Sequence, residues 1–238
     1  MKVLITMAGR GQRFLNKGFT IPKYMINVQN KSLFYWSISS LKDFFEYEFI
    51  FMAVKEHNCV NFIKRQCELL GIDNYKIIEL NSFTCGQAET AYNAKNYINV
   101  DEQVMIYNID TFVDPNSLKK IHFKNNDGII PVFETFSGDN WSYVKLNSFG
   151  RVVEVAEKKK ISNYASIGLY YFRKWDYFLN SYERNKTSIL QQYKEIYIAP
   201  LYNEFIQKLN VGIHEIPKGN IIPLGTPEEV EVFENLVQ

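Results

Sequence analysis

A chain of 238 residues with 46% hydrophobic content is long enough to bury one large core, and nowhere do about 18 consecutive apolar residues mark a membrane span. Lys and Arg number 27 against 26 Asp and Glu; the formal charge of +1 gives the molecule no overall pull toward nucleic acid or anionic membranes, so any anion site must be local. The cysteines, Cys59, Cys67 and Cys85, lack CxxC or Cys/His metal spacing, which argues against a disulfide framework or a zinc site and fits a cytoplasmic protein.

The first predicted strand is KVLITMA, which runs into MAGRGQRF at Met7 to Phe14. An ordinary strand-to-helix turn would use glycine for its access to positive φ. A phosphate cradle would use it to bring backbone N–H groups close to an anion, with arginine supplying charge. The dinucleotide fingerprint GxGxxG fails here, because Phe14 stands at its third glycine, and GxxxxGK[ST] is absent. Pro22 fixes the backbone just before Lys23, so Arg10, Arg13 and Lys23 can serve one turn.

KSLFYWSISSLKDFF predicts a helix over 31–45 with Leu33, Trp36, Leu41 and Phe44 near one face. FIFMAV predicts a buried strand, VNFIKRQCELL a helix closed by Gly71, and YKIIEL and QVMIYNI two more strands. This alternation predicts an α/β fold, a Rossmann-like, doubly wound, mainly parallel sheet with its sites at the carboxyl ends of the strands. Asp110 stands at such an end, whereas Asp114 before Pro115 fits a capping role.

Beyond residue 125 the pattern changes. DGIIPVFE, SYVKLN, RVVEVAEK and SIGLYYF are strands separated by turn signals such as NSFG, predicting a small antiparallel or mixed lobe. Helices are expected at about 189–208 and from Pro227, where Thr226 and Glu229 can form a capping box. The run EKKK would by default be a solvated turn, and His57, His122 and His214 lie apart from every motif, with no catalytic role expected.

MAGRGQRF followed by PKYMINV resembles the signature of the sugar-phosphate nucleotidyltransferase family. GQAET at Gly86, YNID ending at Asp110, VAEKK around Glu157, SIGLYYF around Gly168, and GTPEE at Gly225 follow in the family's order. The resemblance implies a single domain over 1–238 with a glycosyltransferase-A-like fold, a nucleotide-binding half over about 1–125 and an acceptor-binding half over about 126–238.

It also implies attack by an acceptor phosphate on the α-phosphorus of a nucleoside triphosphate, with Mg²⁺ as cofactor and pyrophosphate as leaving group. Arg13, Lys23 and Asp110 would be catalytic, Lys23 at the α-phosphate and Asp110 as metal ligand. The nucleotide would meet Ala8, Gly9, Arg10, Gly11, Gln12, Arg13, Lys23, Gly86 and Gln87, with Asn81 a further base contact; the acceptor would meet Trp141, Tyr143, Glu157, Lys158 and Gly168.

Two departures bear on substrate. Pro223 stands where many relatives carry an aspartate as second metal ligand, leaving Asp110 with phosphates alone, or a substitute such as Glu215. Trp141, Ser142 and Tyr143 occupy the stretch where sugar-handling relatives place a glycine near the hexose. The expected acceptor is therefore a phosphorylated polyol, amine or amide, and the chain is similar to cytidylyltransferases of capsule assembly, with CTP as the nucleotide. The expected partners are these two small molecules, with no nucleic acid and no membrane; a homo-oligomer is compatible with the sequence. A sugar-1-phosphate uridylyl- or thymidylyltransferase, a glycosyltransferase and a non-catalytic nucleotide-binding subunit are the competing readings.

Overall fold

The computed structural model describes residues 1–136, 138 and 140–236. β1 (Lys2–Met7) ends in the glycine turn, which leads into the short helix α1 (Gln12–Asn16). A small hairpin, β2 (Asn27–Val28) with β3 (Lys31–Ser32), precedes α2 (Leu33–Ser39), whose N-terminus is capped by the Ser32 hydroxyl accepting from the Tyr35 N–H. The helix predicted over 31–45 is thus broken: α2 stops at Ser39 and a separate 3₁₀ turn covers Lys42–Phe44. The predicted apolar face survives this break, because Leu33, Leu41 and Phe44 are all buried.

β4 (Glu48–Val54), α3 (Val60–Leu70), β5 (Tyr75–Leu80), α4 (Gln87–Tyr92), β6 (Val104–Asn108) and β7 (Thr111–Val113) complete the first half. β1 pairs in parallel with both β4 and β6, and β4 with β5. Alternate residues along these strands feed two cores. Val3, Ile5, Phe49, Phe51, Met105 and Tyr107 pack with α2 and α3 on one face, while Leu4, Ile50, Met52, Val104 and Ile106 pack with α4 on the other.

The second half extends the same sheet through β8 (Gly128–Glu134), β9 (Ser142–Leu146), β10 (Val152–Glu157), β11 (Tyr164–Ser166) and β12 (Leu169–Phe172). α5 (Trp175–Tyr193) follows, then β13 (Val211–Glu215), β14 (Ile221–Pro223) and α6 (Pro227–Asn235). Among the described residues this makes a ten-stranded mixed sheet in the order β10-β9-β11-β8-β12-β6-β1-β4-β5, with β13 against β8. The helix predicted near 189–208 lies earlier: Trp175, Phe178, Tyr182 and Ile189 supply the buried face of α5, which ends where Lys194 turns left-handed at φ 67°, and a 3₁₀ turn covers Ala199–Glu204.

One junction positions everything that follows. β13 occupies one edge of β8, so β11 and β12 share the other edge and run as one antiparallel strand interrupted at Ile167 and Gly168. On the far edge of that interrupted strand, β6 pairs along Leu169–Phe172 and β9 along Tyr164–Ala165. The carboxyl end of β6 and the start of β9 therefore meet end to end, with Gly168 between them. Gly168 must be glycine, since its φ is +81° and a Cβ there would lie 2.0 Å from the Asn108 Nδ2.

Candidate active site

A cleft of about 1000 Å³ opens at this junction and along the carboxyl ends of β1, β4 and β6. Its wall at one end is Ala8, Gly9, Arg10, Gly11, Gln12 and Arg13, with Lys23, Gly86 and Gln87 beside them. At the other end stand Trp141, Ser142, Glu157, Lys158 and Gly168. Asp110 lies between the two groups, just past the tip of β6. The sheet thus gathers most of the residues singled out in the sequence.

The glycine turn is anchored from below. Phe14 is buried in a third apolar cluster with Leu33, Leu224, Val230 and Phe233, so α6 packs beneath the start of α1. The Trp36 indole N–H donates to the Val28 carbonyl at 3.0 Å, and its ring meets Phe112 and Phe233 edge-on. Above this support Arg10 and Arg13 are exposed. The Arg10 guanidinium lies 4.8 Å from the centre of the Phe83 ring.

Lys23 Nζ lies 2.7 Å from Asp110 Oδ2, both side chains partly shielded from solvent. Asp110 Oδ1 is buried with no hydrogen-bond partner among the described residues, and so are Asn108 Oδ1 and Gln87 Nε2. Buried polar atoms left unpaired cost about 1–3 kcal/mol each, so three of them on one cleft mark groups that a ligand would satisfy.

The donor set fits a magnesium ion bound with phosphate. Among the described residues no three His, Cys, Asp or Glu side chains converge into a cage. Mg²⁺ favours one or two carboxylates and completes its shell with phosphate oxygens and water. Asp110 has an unpaired oxygen for that role. Glu229 brings a second carboxylate close: a Cβ on Gly225 would lie 3.5 Å from both Asp110 Oδ2 and Glu229 Oε2. That Glu229 oxygen already accepts from the Gly225 and Thr226 N–H groups, closing the predicted capping box. Pro223 lines the cleft opposite Thr111. Glu215, the substitute considered from the sequence, is exposed on β13 and is not among the cleft-lining residues.

Gly86, at φ +128°, lies so close to the Ile196 backbone that a Cβ would approach its nitrogen and oxygen at 2.7 Å. The segment after α5 is thereby locked to the start of α4, through Ala88 N–H to Ile196 O and Ile196 N–H to Cys85 O. It carries Lys194, Glu195 and Tyr197 into the cleft, three residues that the displaced helix prediction hid. Lys158, held at φ 51°, reaches the Tyr197 hydroxyl and lies over its ring at 4.7 Å.

Glu157 is 4% exposed although three lysines follow it. β10 pairs with β9 in a register that sets Glu157 opposite Ser142, whose hydroxyl donates to the carboxylate. The Tyr170 hydroxyl in turn donates to Ser142 Oγ at 3.2 Å. Burial pushes the Glu157 carboxyl up to about 7, against the opposing pull of the Ser142 hydrogen bond and the Lys158 charge.

Three expected placements differ. Tyr143 is fully buried, donates to the Gly138 carbonyl, and forms part of the core beneath the cleft rather than its lining. Asn81 is exposed in a neighbouring depression with Glu79, Phe83, Glu89 and Asn93. His57, read as isolated, lines the main cleft: it ends the 3₁₀ turn Lys55–His57 immediately after β4. Position at a parallel strand's carboxyl end was the signal that could have found it.

Comparison with known proteins agrees with this geometry. The sequence model of a family described as nucleotidyl transferase matches residues 2–202. A nucleoside-diphosphate-sugar pyrophosphorylase from Vibrio cholerae RC9 is 35% identical with a TM-score of 0.89, covering 98% of this chain and 99% of its own. The inositol-1-phosphate CTP transferase of T. maritima shares the fold at 14% identity and a TM-score of 0.75, over 98% of this chain and 93% of that one. The bifunctional protein GlmU of Methanocaldococcus jannaschii is 23% identical over 176 residues, 73% of this chain. The match spans 40% of that curated relative's length.

Proposed function

We propose, from the premise that this chain belongs to the nucleotidyl transferase family, that it transfers a nucleotidyl group from CTP to a small phosphorylated acceptor and releases pyrophosphate. A phosphate oxygen of the acceptor attacks the α-phosphorus as the bond to the pyrophosphate oxygen breaks. Both reactants are polyanions, so the protein's task is to align them and offset charge. The observation that carries this reading is the Lys23–Asp110 pair, 2.7 Å apart between an arginine-bearing glycine turn and a buried carboxylate.

In the free protein the two charges hold one another. Partly exposed ion pairs contribute about 0–1 kcal/mol, so Lys23 can exchange its carboxylate for an α-phosphate oxygen at little cost. Arg13 and the Gly9–Gln12 backbone would receive the β- and γ-phosphates. Asp110 would then hold Mg²⁺, which when bound supplies charge neutralisation on the phosphate oxygens.

At the acceptor end, Glu157, Ser142 and the unpaired Asn108 amide oxygen offer hydrogen-bond acceptors beside Trp141, whose ring packs edge-on against Phe133 at 5.1 Å. This suits a compact acceptor that brings N–H or O–H donors: a phosphorylated polyol, amine or amide, phosphoglutamine among them. A role in capsule or other surface-polysaccharide assembly belongs to this proposal and rests on the resemblance. A second reading, a sugar 1-phosphate acceptor, is favoured by the 35% identity to a protein named as a nucleoside-diphosphate-sugar pyrophosphorylase.

The test is pyrophosphate release with Mg²⁺, pairing CTP, UTP, dTTP, GTP and ATP with polyol phosphates, phosphocholine, phosphoglutamine and hexose 1-phosphates. Release with CTP and a non-sugar phosphate is expected. Release confined to UTP or dTTP with a hexose 1-phosphate would select the second reading, and no release from any pair would overturn both.

Glu157 adds a prediction with a definite sign. Its carboxyl titrates at about 7 in the folded chain against an ordinary value of 4.5. Between those values the folded state keeps a proton that the unfolded state has released, so stability falls as pH rises across the window. The penalty reaches about 3 kcal/mol above pH 7. Glu157→Gln should therefore melt higher than wild type at pH 8, with the difference vanishing toward pH 4.5, while its KM for the acceptor rises about tenfold; equal melting at pH 8 would show that the carboxylate is not penalised.

A further inference from the structure

We infer that His57 reads the nucleobase, donating a hydrogen bond from its Nε2–H to an acceptor atom on the base edge, and that Tyr24 fixes the imidazole tautomer which makes it a donor. The inference rests on the proposed use of a nucleoside triphosphate, and it adds a specificity-determining residue to that site.

His57 stands at the carboxyl end of β4 and lines the cleft with the segment that carries Gly86 and Gln87. Its ring is held on two sides. Phe83 packs against it edge-on at 5.5 Å, and Tyr24 does so at 5.6 Å. Its Nδ1 lies 2.9 Å from the Tyr24 hydroxyl, and Tyr24 is 2% exposed. Nε2 has no hydrogen-bond partner among the described residues. A half-buried, cleft-lining imidazole so clamped, with one nitrogen committed and the other without a partner among the described residues, has its geometry set before a ligand arrives.

The tautomer follows from the chain of groups behind the ring. Burial holds the His57 pKa below its usual value, so at neutral pH the ring is uncharged and carries one N–H. Burial pushes the Tyr24 phenol up, so it keeps its proton, and its hydroxyl is paired with His57 Nδ1. Two arrangements are available. In one, the phenol donates to Nδ1, leaving the ring proton on Nε2. In the other, Nδ1–H donates to the phenol oxygen, and the buried phenol O–H is left to find another acceptor. A buried donor left unpaired costs about 1–3 kcal/mol, and imidazole nitrogen is a good acceptor, so the first arrangement wins. The cleft is thereby presented with a neutral donor.

A neutral donor suits a base carbonyl or ring nitrogen better than a triphosphate, for which Arg10, Arg13 and Lys23 already supply charge. Gln87 Nε2, buried and unpaired in the same cleft, adds a second donor. Together they match a base edge that presents acceptors, as the C2 carbonyl and N3 of cytosine do.

The test compares full and base-free nucleotides. Equilibrium binding of CTP, UTP and ribose 5-triphosphate, each with Mg²⁺, would be measured by calorimetry for wild type, His57→Phe and Tyr24→Phe. His57→Phe keeps the ring packing and removes the donor. It is expected to weaken CTP binding about tenfold and to leave ribose 5-triphosphate within twofold, the fold-change of one net hydrogen bond. Tyr24→Phe frees the tautomer and should weaken CTP by a smaller factor with the same selectivity. Equal weakening of CTP and ribose 5-triphosphate by His57→Phe would overturn the inference in favour of a phosphate-side or structural role. Unchanged CTP binding would overturn it outright. Absence of triphosphate binding by wild type would instead defeat the proposed function, and this inference with it.

Discussion

Asp110→Asn is expected to lower turnover about a thousandfold while nucleotide affinity stays within tenfold. The carboxylate stands at the tip of β6, with Oδ2 on Lys23 and Oδ1 buried without a partner. An amide of the same shape keeps the packing and can still accept from Lys23, so the site should remain assembled. What is lost is the negative charge that would hold the proposed cation against the phosphates, and a neutral amide binds Mg²⁺ poorly. Single-turnover kinetics with saturating CTP and acceptor would measure this, alongside CTP binding by calorimetry. Turnover within threefold of wild type would remove Asp110 from the mechanism.

Lys23→Met should have the complementary signature: kcat down about a hundred- to a thousandfold, and the KM for CTP changed by less than tenfold. In the proposed reaction Arg10 and Arg13 would remain to hold the triphosphate tail, whereas the Lys23 ammonium would act at the α-phosphate, where charge moves during reaction. Lys23→Arg should restore little, because a broad planar guanidinium cannot occupy the place of a compact ammonium 2.7 Å from Asp110. The double variant Lys23→Met, Asp110→Asn should lose less than the product of the single losses, since each partner removed alone leaves the other uncompensated. A change confined to the KM for CTP would make Lys23 a binding residue only.

The glycine-turn end of the cleft was largely legible because its residues are close together in sequence. Gly9, Gly11, Arg10 and Arg13 sit within five residues at the end of an apolar strand, Pro22 marks Lys23, and the strand-tip rule marks Asp110. The end around Trp141 and Glu157 was less so, because its environment is made by long-range pairing. Glu157 reads as part of a charged run until β9 places Ser142 opposite it. Tyr143 reads as a neighbour of Trp141 on the pocket wall, yet strand alternation turns it into the core. Lys194, Glu195 and Tyr197 were hidden because the left-handed residue that stops α5 is a lysine, with no glycine to announce the helix end. His57 was passed over as a lone histidine; its proposed role depends on Tyr24, 33 residues away in sequence.

The interrupted strand formed by β11 and β12 acts as a ruler. Ala165 is paired to Tyr143 of β9 and Leu169 to Tyr107 of β6, so four residues set the distance between the proposed seats of the two reactants. One residue of strand is about 3.3 Å, and reacting atoms must be brought within about 3–3.5 Å of each other. A single insertion or deletion between those pairs would therefore misplace one reactant by a whole bond-forming distance and swap which side chains face the cleft. Substitutions on β9 and β10 leave the ruler untouched. Changes at Trp141, Ser142, Glu157 and Lys158, at the open end of the β9–β10 hairpin, would therefore reshape one end of the cleft while the separation set by the ruler stays constant.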